Sequence, residues 1–359
     1  MLEIAEYVAL TRFVKDHLIE PEVEINSLKI THSGILRITR GFKERGWSVL
    51  KDEQGSSRHS LHTLTSPDGN ISLSMVGGKV FRHGRVTEQI CGRKHLAKRM
   101  LERAQISIPV GADFAHDEME AAMAYFEMLP KPIVVKPVGA GGSHGVTVGV
   151  TKSEEFLKAW KYALAEGGAR SRVLLEQFVP GVELRPYVVG DDVVSIVARV
   201  QPFVIGDGHQ AVWQLVDGVN LARSVNYRAN AYPVVVDWSF VERQGVNSDS
   251  ILGSGEVLYL SPFCYPTVGA FIVDVTEQVH PEIIAMAVAA KNAIPGLEVA
   301  GVDILTSDIK DPRGAYVVEV NTAAALDMHR YPTHGDSREI CDDIVEYFHR
   351  QYLSDLDEA

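Results

Sequence analysis

The feature that most constrains the fold is a glycine loop, GAGGSHG at 139–145, set between two short β-branched runs, IVVKPV before it and VTVGV after it. Its four glycines, Gly139, Gly141, Gly142 and Gly145, let backbone N–H groups approach an anion closely, because glycine tolerates φ > 0 and has no Cβ in the way. A dinucleotide fingerprint would place a helix after its glycines, and a P-loop would end in Gly-Lys-Ser/Thr; this loop does neither. It reads as a hairpin. Lys136, on the strand before it, is placed to meet a phosphate oxygen as a point charge. A tip that closes over phosphates and a glycine-rich surface hairpin both fit this segment taken alone.

The surrounding pattern is mixed α and β. An amphipathic run (Tyr7, Leu10, Phe13, Val14, Leu18) and a second from Ile35 to Arg45, closed by Gly46, predict helices. SLHTLTSPDGNISLSMV predicts two strands around a turn at Pro67-Asp68-Gly69. HLAKRMLERA and EMEAAMAYFEML predict helices before the glycine hairpin, SEEFLKAWKYALAE a helix capped by Ser153 after it, and VLLEQFV a further strand. Beyond that, strands (ELRPYVV, VVSIVARV, EVLYL, AFIVDV) alternate with a helix from Pro281 to about Ala293, then the pair GVDILTSDI and AYVVEVN, then a helix from Arg338 to Tyr352. We expect an α/β fold with an N-terminal α/β domain at 1–90, a lid at 91–178 carrying the glycine loop, and a C-terminal part at 179–359. No repeat or low-complexity linker separates them.

Near the C-terminal end, Glu319 and Asn321 lie two apart in VVEVN, so a strand points both to one side, while Asp303 sits in the neighbouring GVDIL. Such hard oxygen donors suit Mg²⁺ with nucleotide phosphates and water. For any one of them alone, a salt-bridged or strand-end carboxylate is the better explanation.

With 47 acidic against 35 basic side chains the chain carries a net charge of -12, which gives no support to nucleic acid or an anionic membrane as partner. Cys91, Cys264 and Cys341 are far apart, with no metal-ligand spacing and no disulfide framework. The first 25 residues carry charges every few positions and show neither a signal-peptide core nor a run of about 20 apolar residues. The cytoplasm is the expected compartment.

Taken in order, a lysine-bearing strand, a glycine hairpin, a Glu-bearing strand and then Asp…Glu-x-Asn resemble the ATP-grasp superfamily. Within it the likeness is to the ligase module of cyanophycin synthetases and the glutathione-synthetase module of bifunctional glutathione enzymes. It runs from about residue 33 to 350 and is carried by VVKP, VARVQPFVIGDG, GVDI and EVN…MHRYPTHGDSR. The resemblance implies an ATP-grasp fold and an ATP-dependent ligase that joins a carboxylate to an amine through an acyl phosphate, with ATP and Mg²⁺, two ions, as cofactors. It implies nucleotide phosphate contacts for Lys94, Lys136 and the loop residues Gly141, Gly142, Ser143, His144 and Gly145. Glu176, Gln177 and Val179 would receive adenine, Glu183 the ribose hydroxyls, and Asp303, Glu319 and Asn321 the Mg²⁺. Arg199 would be catalytic, stabilising the transferring phosphoryl group and the tetrahedral intermediate. Arg185, Asp207, Asn220, Arg223 and His329 are possible substrate contacts, although a tight turn with surface polar residues explains Asp207, Asn220 and Arg223 equally well.

Two loops depart from the pattern. Asn321-Thr-Ala-Ala-Ala replaces the usual element after the metal strand, and Tyr265-Pro-Thr-Val-Gly-Ala replaces a Ser-Thr-Gly-Gly run. In the relatives both lie near the acceptor pocket, so the departures bear on substrate identity. Expected partners are small carboxylates and amines, amino acids or short peptides, with a homodimer as the ordinary oligomer. Two other readings are a ligase acting on a protein or ribosomal peptide tail and a regulatory nucleotide-binding protein without activity.

Overall fold

A computed structural model describes residues 7–19, 24–30, 32–52, 60–82, 84–139, 144–168, 170–322 and 324–357. In chain order its elements are α1 (Val8–Val14, continued by a π turn), α2 (Gly34–Glu44), β1 (Ser48–Lys51), β2 (Leu61–Thr65), β3 (Ser72–Val76), β4 (Lys79–Phe81), α3 (Arg85–Cys91) and α4 (Lys94–Arg103). Next come β5 (Gly111–Phe114), α5 (Met119–Met128), β6 (Ile133–Pro137), β7 (Thr147–Val150), α6 (Ser153–Gly167), β8 (Val173–Gln177), β9 (Val182–Val189), β10 (Asp192–Val200) and β11 (Phe203–Ile205). The remainder is α7 (Val212–Arg223), α8 (Tyr227–Ala231), α9 (Trp238–Arg243), β12 (Val257–Tyr259), β13 (Phe271–Asp274), α10 (Pro281–Asn292), β14 (Val299–Thr306), β15 (Tyr316–Asn321), α11 (Asp327–Arg330) and α12 (Ile340–Asp357).

Two sheets frame the molecule's centre. The lid sheet runs β5-β8-β6-β7 and the body sheet β13-β10-β9-β14-β15, antiparallel throughout. The lid has its own core, in which Phe126 of α5 stacks on Phe156 of α6 at 4.9 Å over Ile133, Val135 and Leu175. The body sheet packs one face on α10 and α1 through Leu184, Val188, Ile196, Val302, Ile304 and Val317. Because the side-chain period in a strand is two, the residues alternating with these in β9, β10 and β14 point to the other face, and a register shift in β15 between Val317 and Glu319 turns Glu319 to that face as well. That face carries the charged groups.

Pro186 lies in the middle of β9, a central strand, where proline has no N–H to give the ladder. The pairing of β9 with β14 lapses there, between Gly301↔Tyr187 and Ile304↔Leu184, and continuing the register across the gap sets Arg185 opposite Asp303. The sheet of β1 to β4, covered by α2 and α12, forms a third core with Phe42, Trp47 and Phe348.

Several expectations shift. Ser153 is the first residue of α6 instead of its cap; Lys152 is the N-cap, and the Glu155 carboxylate accepts from the N–H of Thr151 at 2.9 Å and of Lys152 at 3.2 Å. The last helix starts at Ile340, not Arg338, and extends to Asp357. Helix α7 has no counterpart in the sequence reading. Its inward residues Val212 and Val216 are interleaved with exposed Trp213 and Leu221, which blurs the apolar period.

Candidate active site

Helix α4 buries Ala97 and Leu101 in the body core and presents Lys94 and Lys98 one turn apart, on one face of the helix. Each lysine reaches a different sheet. Lys94 Nζ lies 3.1 Å from Glu319 of the body, and Lys98 Nζ lies 2.5 Å from Glu176 of the lid while donating to the Pro109 carbonyl at 3.0 Å. On the lid, Lys136 closes on the other Glu176 oxygen. Burial by itself would raise the Glu176 pKa; the Lys136 and Lys98 ammonium groups outweigh it and hold the carboxyl below its ordinary value.

On the body face, Asp303 pairs across the ladder with Glu319, and Arg199 with Glu183. Arg185 grips Asp303 with two prongs, the Nη2 prong at 2.7 Å from Oδ2, and Arg199 Nη2 contacts Glu183 and lies 3.4 Å from Asp303. Burial would raise the Asp303 pKa as well, but the two guanidinium groups depress it. The Asn321 amide donates to Asp303 Oδ2 at 3.3 Å and to Glu319 Oε2 at 3.4 Å, so the three candidate metal ligands meet at one place. Gly301 allows this crowding, because a Cβ there would sit 2.4 Å from the Ala324 methyl and 3.0 Å from Arg185 Cδ.

The candidate site residues separate into groups. Lys136 and Glu176 meet on the lid sheet, and Glu183, Arg185, Arg199, Asp303, Glu319 and Asn321 meet on the body sheet; α4 links the two clusters, Lys98 reaching Glu176 and Lys94 reaching Glu319. Val179 is buried beyond the end of β8, and the Gln177 N–H donates to the Val110 carbonyl at 2.8 Å. Gly141, Gly142 and Ser143 lie outside the described residues. His144 is exposed at the hairpin, 3.5 Å from Glu166, and Gly145 turns there with φ 73°.

The substrate candidates divide too. The Asp207 carboxylate is spent on its own turn, accepting from His209 N–H at 2.8 Å and Gln210 N–H at 2.7 Å. Asn220 is spent on the Val234 backbone, whose N–H it accepts at 2.8 Å. Both thus have the local hydrogen bonds that the turn reading expects of them. Arg223 is no surface residue, being 2% exposed on α7. His329 is buried against Tyr187, its Nδ1 2.8 Å from Ser195 Oγ; burial, together with the charges of Arg185, Arg228 and Arg199, lowers its pKa to about 3, so it is neutral. His334 Nδ1 lies 3.0 Å from Thr333 Oγ1.

Sequence reasoning missed three groups. Lys98 carried a signal, its i,i+4 spacing from Lys94. Cys264, whose thiol donates to Glu183 at 3.2 Å, and Arg228 carried none, since their partners are distant in sequence.

Residues 92–212 match the family model described as phosphoribosylglycinamide synthetase, ATP-grasp (A) domain. The chain is 31% identical over 262 residues to cyanophycin synthetase of Synechocystis sp., covering 70% of this chain and 30% of that protein. It is 27% identical over 279 residues to the glutathione biosynthesis bifunctional protein of Clostridium perfringens, covering 75% and 35%. The structure of a bifunctional glutathione synthetase from Pasteurella multocida superposes with a TM-score of 0.59 at 23% identity, over 84% of this chain and 42% of that one. The chain thus spans about a third of the length of the curated relatives it matches. It is a member of the ATP-grasp superfamily, with the ATP-grasp fold and a sequence similar to cyanophycin synthetases and bifunctional glutathione proteins.

Proposed function

We propose that this chain is an ATP-dependent ligase that phosphorylates a substrate carboxylate and transfers the acyl group to an amine, forming an amide and releasing ADP and phosphate. The observation that carries this reading is the charge lattice between the sheets: Lys94 and Lys136 at its edges, Arg185 and Arg199 at its floor, and Asp303, Glu319 and Asn321 gathered beside them. A triphosphate needs several fixed cations, and phosphoryl transfer needs little else from a protein than position and charge.

The donor set suits Mg²⁺: every candidate ligand offers hard oxygen, with Asn321 able to turn its amide oxygen inward, and two carboxylates leave coordination places for phosphate and water. Bound there, the metal would neutralise charge on the transferred phosphoryl group. Arg199 would hold the phosphoryl oxygens and then the oxyanion that forms as the amine attacks the acyl phosphate. Lys136 would exchange Glu176 for a nucleotide phosphate, as a lysine on a flexible stem can. The glycine hairpin of 139–145 would keep water from the acyl phosphate. His329, neutral and within hydrogen-bond distance of Ser195, would support β10 and would not move a proton.

The test is ADP release from MgATP across a matrix of amino acids and short peptides, repeated with Glu319→Ala. We expect an acid–amine pair well above background and a loss of roughly a hundredfold or more in the variant. Absence of any productive pair would favour a regulatory nucleotide-binding protein, productive turnover only with a protein tail would favour a peptide-modifying ligase, and unchanged turnover in the variant would sink the metal assignment.

A further inference from the structure

Two arginines meet carboxylates on the body face, and they do so differently. Arg185 gives both donors of one guanidinium edge, Nε and Nη2, to the two oxygens of Asp303. Arg199, beside it on β10, gives only Nη2, shared between Glu183 and Asp303. Its Nε, the other donor of the same edge, is buried with no hydrogen-bond partner among the described residues. A carboxylate set against such an edge ordinarily takes both donors, and a buried donor left unmade is costly. Glu183 stands directly opposite Arg199 on the ladder and has a second oxygen to offer. Something holds that oxygen away.

The holder is Cys264, whose thiol donates to Glu183 Oε2 at 3.2 Å while Oε1 faces Arg199. Burial, helped by Asp303, raises the thiol pKa against the pull of Arg199 and Arg185, so the group keeps its proton and stays a donor. The segment that carries it is stiff. Pro262 and Pro266 fix φ on either side, the Phe263 and Tyr265 rings lie 5.4 Å apart, and the Phe263 N–H donates to Ser261 Oγ at 3.2 Å. Gly269 anchors the far end, with φ 84° and room only for hydrogen beside the Val234 backbone. Glu183 must therefore come to the thiol.

We infer that Cys264 is a positioning residue that restricts the Glu183–Arg199 contact to a single donor, so that Arg199 can exchange Glu183 for a substrate oxygen. A contact through one donor is released more readily than a two-point fork. Arg185, with both donors engaged, keeps Asp303 in place meanwhile. The exchange rests on the ligase reading; the restriction on Arg199 does not.

Two readouts separate them. The Nε–H resonance of Arg199, assigned by its loss in Arg199→Lys, reports whether a carboxylate sits on that donor. We expect none in wild type, a downfield shift in Cys264→Ala and Cys264→Val as Glu183 closes on both donors, and a wild-type position in Cys264→Ser, which keeps a donor. ADP release from MgATP with a productive acid–amine pair reads the exchange. The kcat/KM for ATP should fall about tenfold in Cys264→Ala and stay within about twofold in Cys264→Ser. Cys264→Ala should cost nothing further beside Glu183→Gln, whose single amide oxygen cannot fork. A carboxylate-bound Nε in wild type, an unshifted resonance in both Cys264→Ala and Cys264→Val, or a Cys264→Ser variant that behaves as Cys264→Ala does would overturn the inference. So would a Cys264→Ala loss that persists in full beside Glu183→Gln, the mark of a loosened loop. A shifted resonance without ADP release from any pair, wild type included, would keep the positioning of Arg199 and remove the ligase reading. ADP release with wild-type kinetics in Cys264→Ala would do the reverse.

Discussion

Glu176 and Asp303 each lie buried between two cations, yet lysines hold the first and arginines the second. A lysine offers a compact charge on a flexible stem and changes partner readily, whereas an arginine fork fixes a carboxylate at two points. On the proposed reading, the lid would release a cation to an arriving nucleotide, while the body floor would keep its geometry. One sequence solves the same burial problem twice, once for exchange and once for permanence.

The contrast breaks most sharply at Asp303. Asp303→Ala leaves Arg185 and Arg199 without the carboxylate they share, and we expect a stability loss of about 3–5 kcal/mol, read from urea unfolding. A loss below about 1 kcal/mol would show that the arginine floor is not held by this pair. The pH dependence sharpens the same point. His329 has a folded pKa near 3, below its ordinary 6.5, so the unfolded chain takes up a proton that the folded one refuses. Its contribution erodes as pH falls from 6.5 toward 3, by about 1.4 kcal/mol per pH unit, and the difference between wild type and His329→Gln should trace that slope. Asp303 and Glu176, with depressed pKa values, keep their full contribution above about 4.5 and lose it as pH falls further, so the window from 5 to 6.5 is free of them. A flat difference across that window would mean His329 is hydrated. The smallest effect belongs to the lid. Lys98→Met leaves Lys136 the sole cation named at Glu176, which should hold Lys136 more tightly and weaken nucleotide binding by roughly threefold to tenfold. Fluorescent ADP binding reads this, and unchanged affinity would mean Lys136 does not trade Glu176 for phosphate.

Much of the arrangement was legible from local pattern. The period of two put Glu319 and Asn321 on one face, and β-branched runs located β6, β7, β9, β10, β14 and β15. Pairing across distance was not legible. Nothing in ELRPYVV says that Arg185 meets Asp303, 118 residues away, and nothing in VLLEQ says that Glu176 meets a lysine 78 residues before it. Those contacts depend on register and on the docking of α4, which are set by the whole core. Arg223 shows the limit most clearly: on sequence a surface polar residue and a substrate contact fitted it equally, and only the unpatterned helix α7 carries it inside.

The Lys98–Glu176 contact joins a helix rooted in the body core to a strand of the lid sheet. A closing rotation that preserves this bond has its fulcrum there, and the arc swept by any lid atom scales with its distance from that point. On the proposed reading, leverage over the triphosphate would thus be set by Lys98, whose helix packs in the body core.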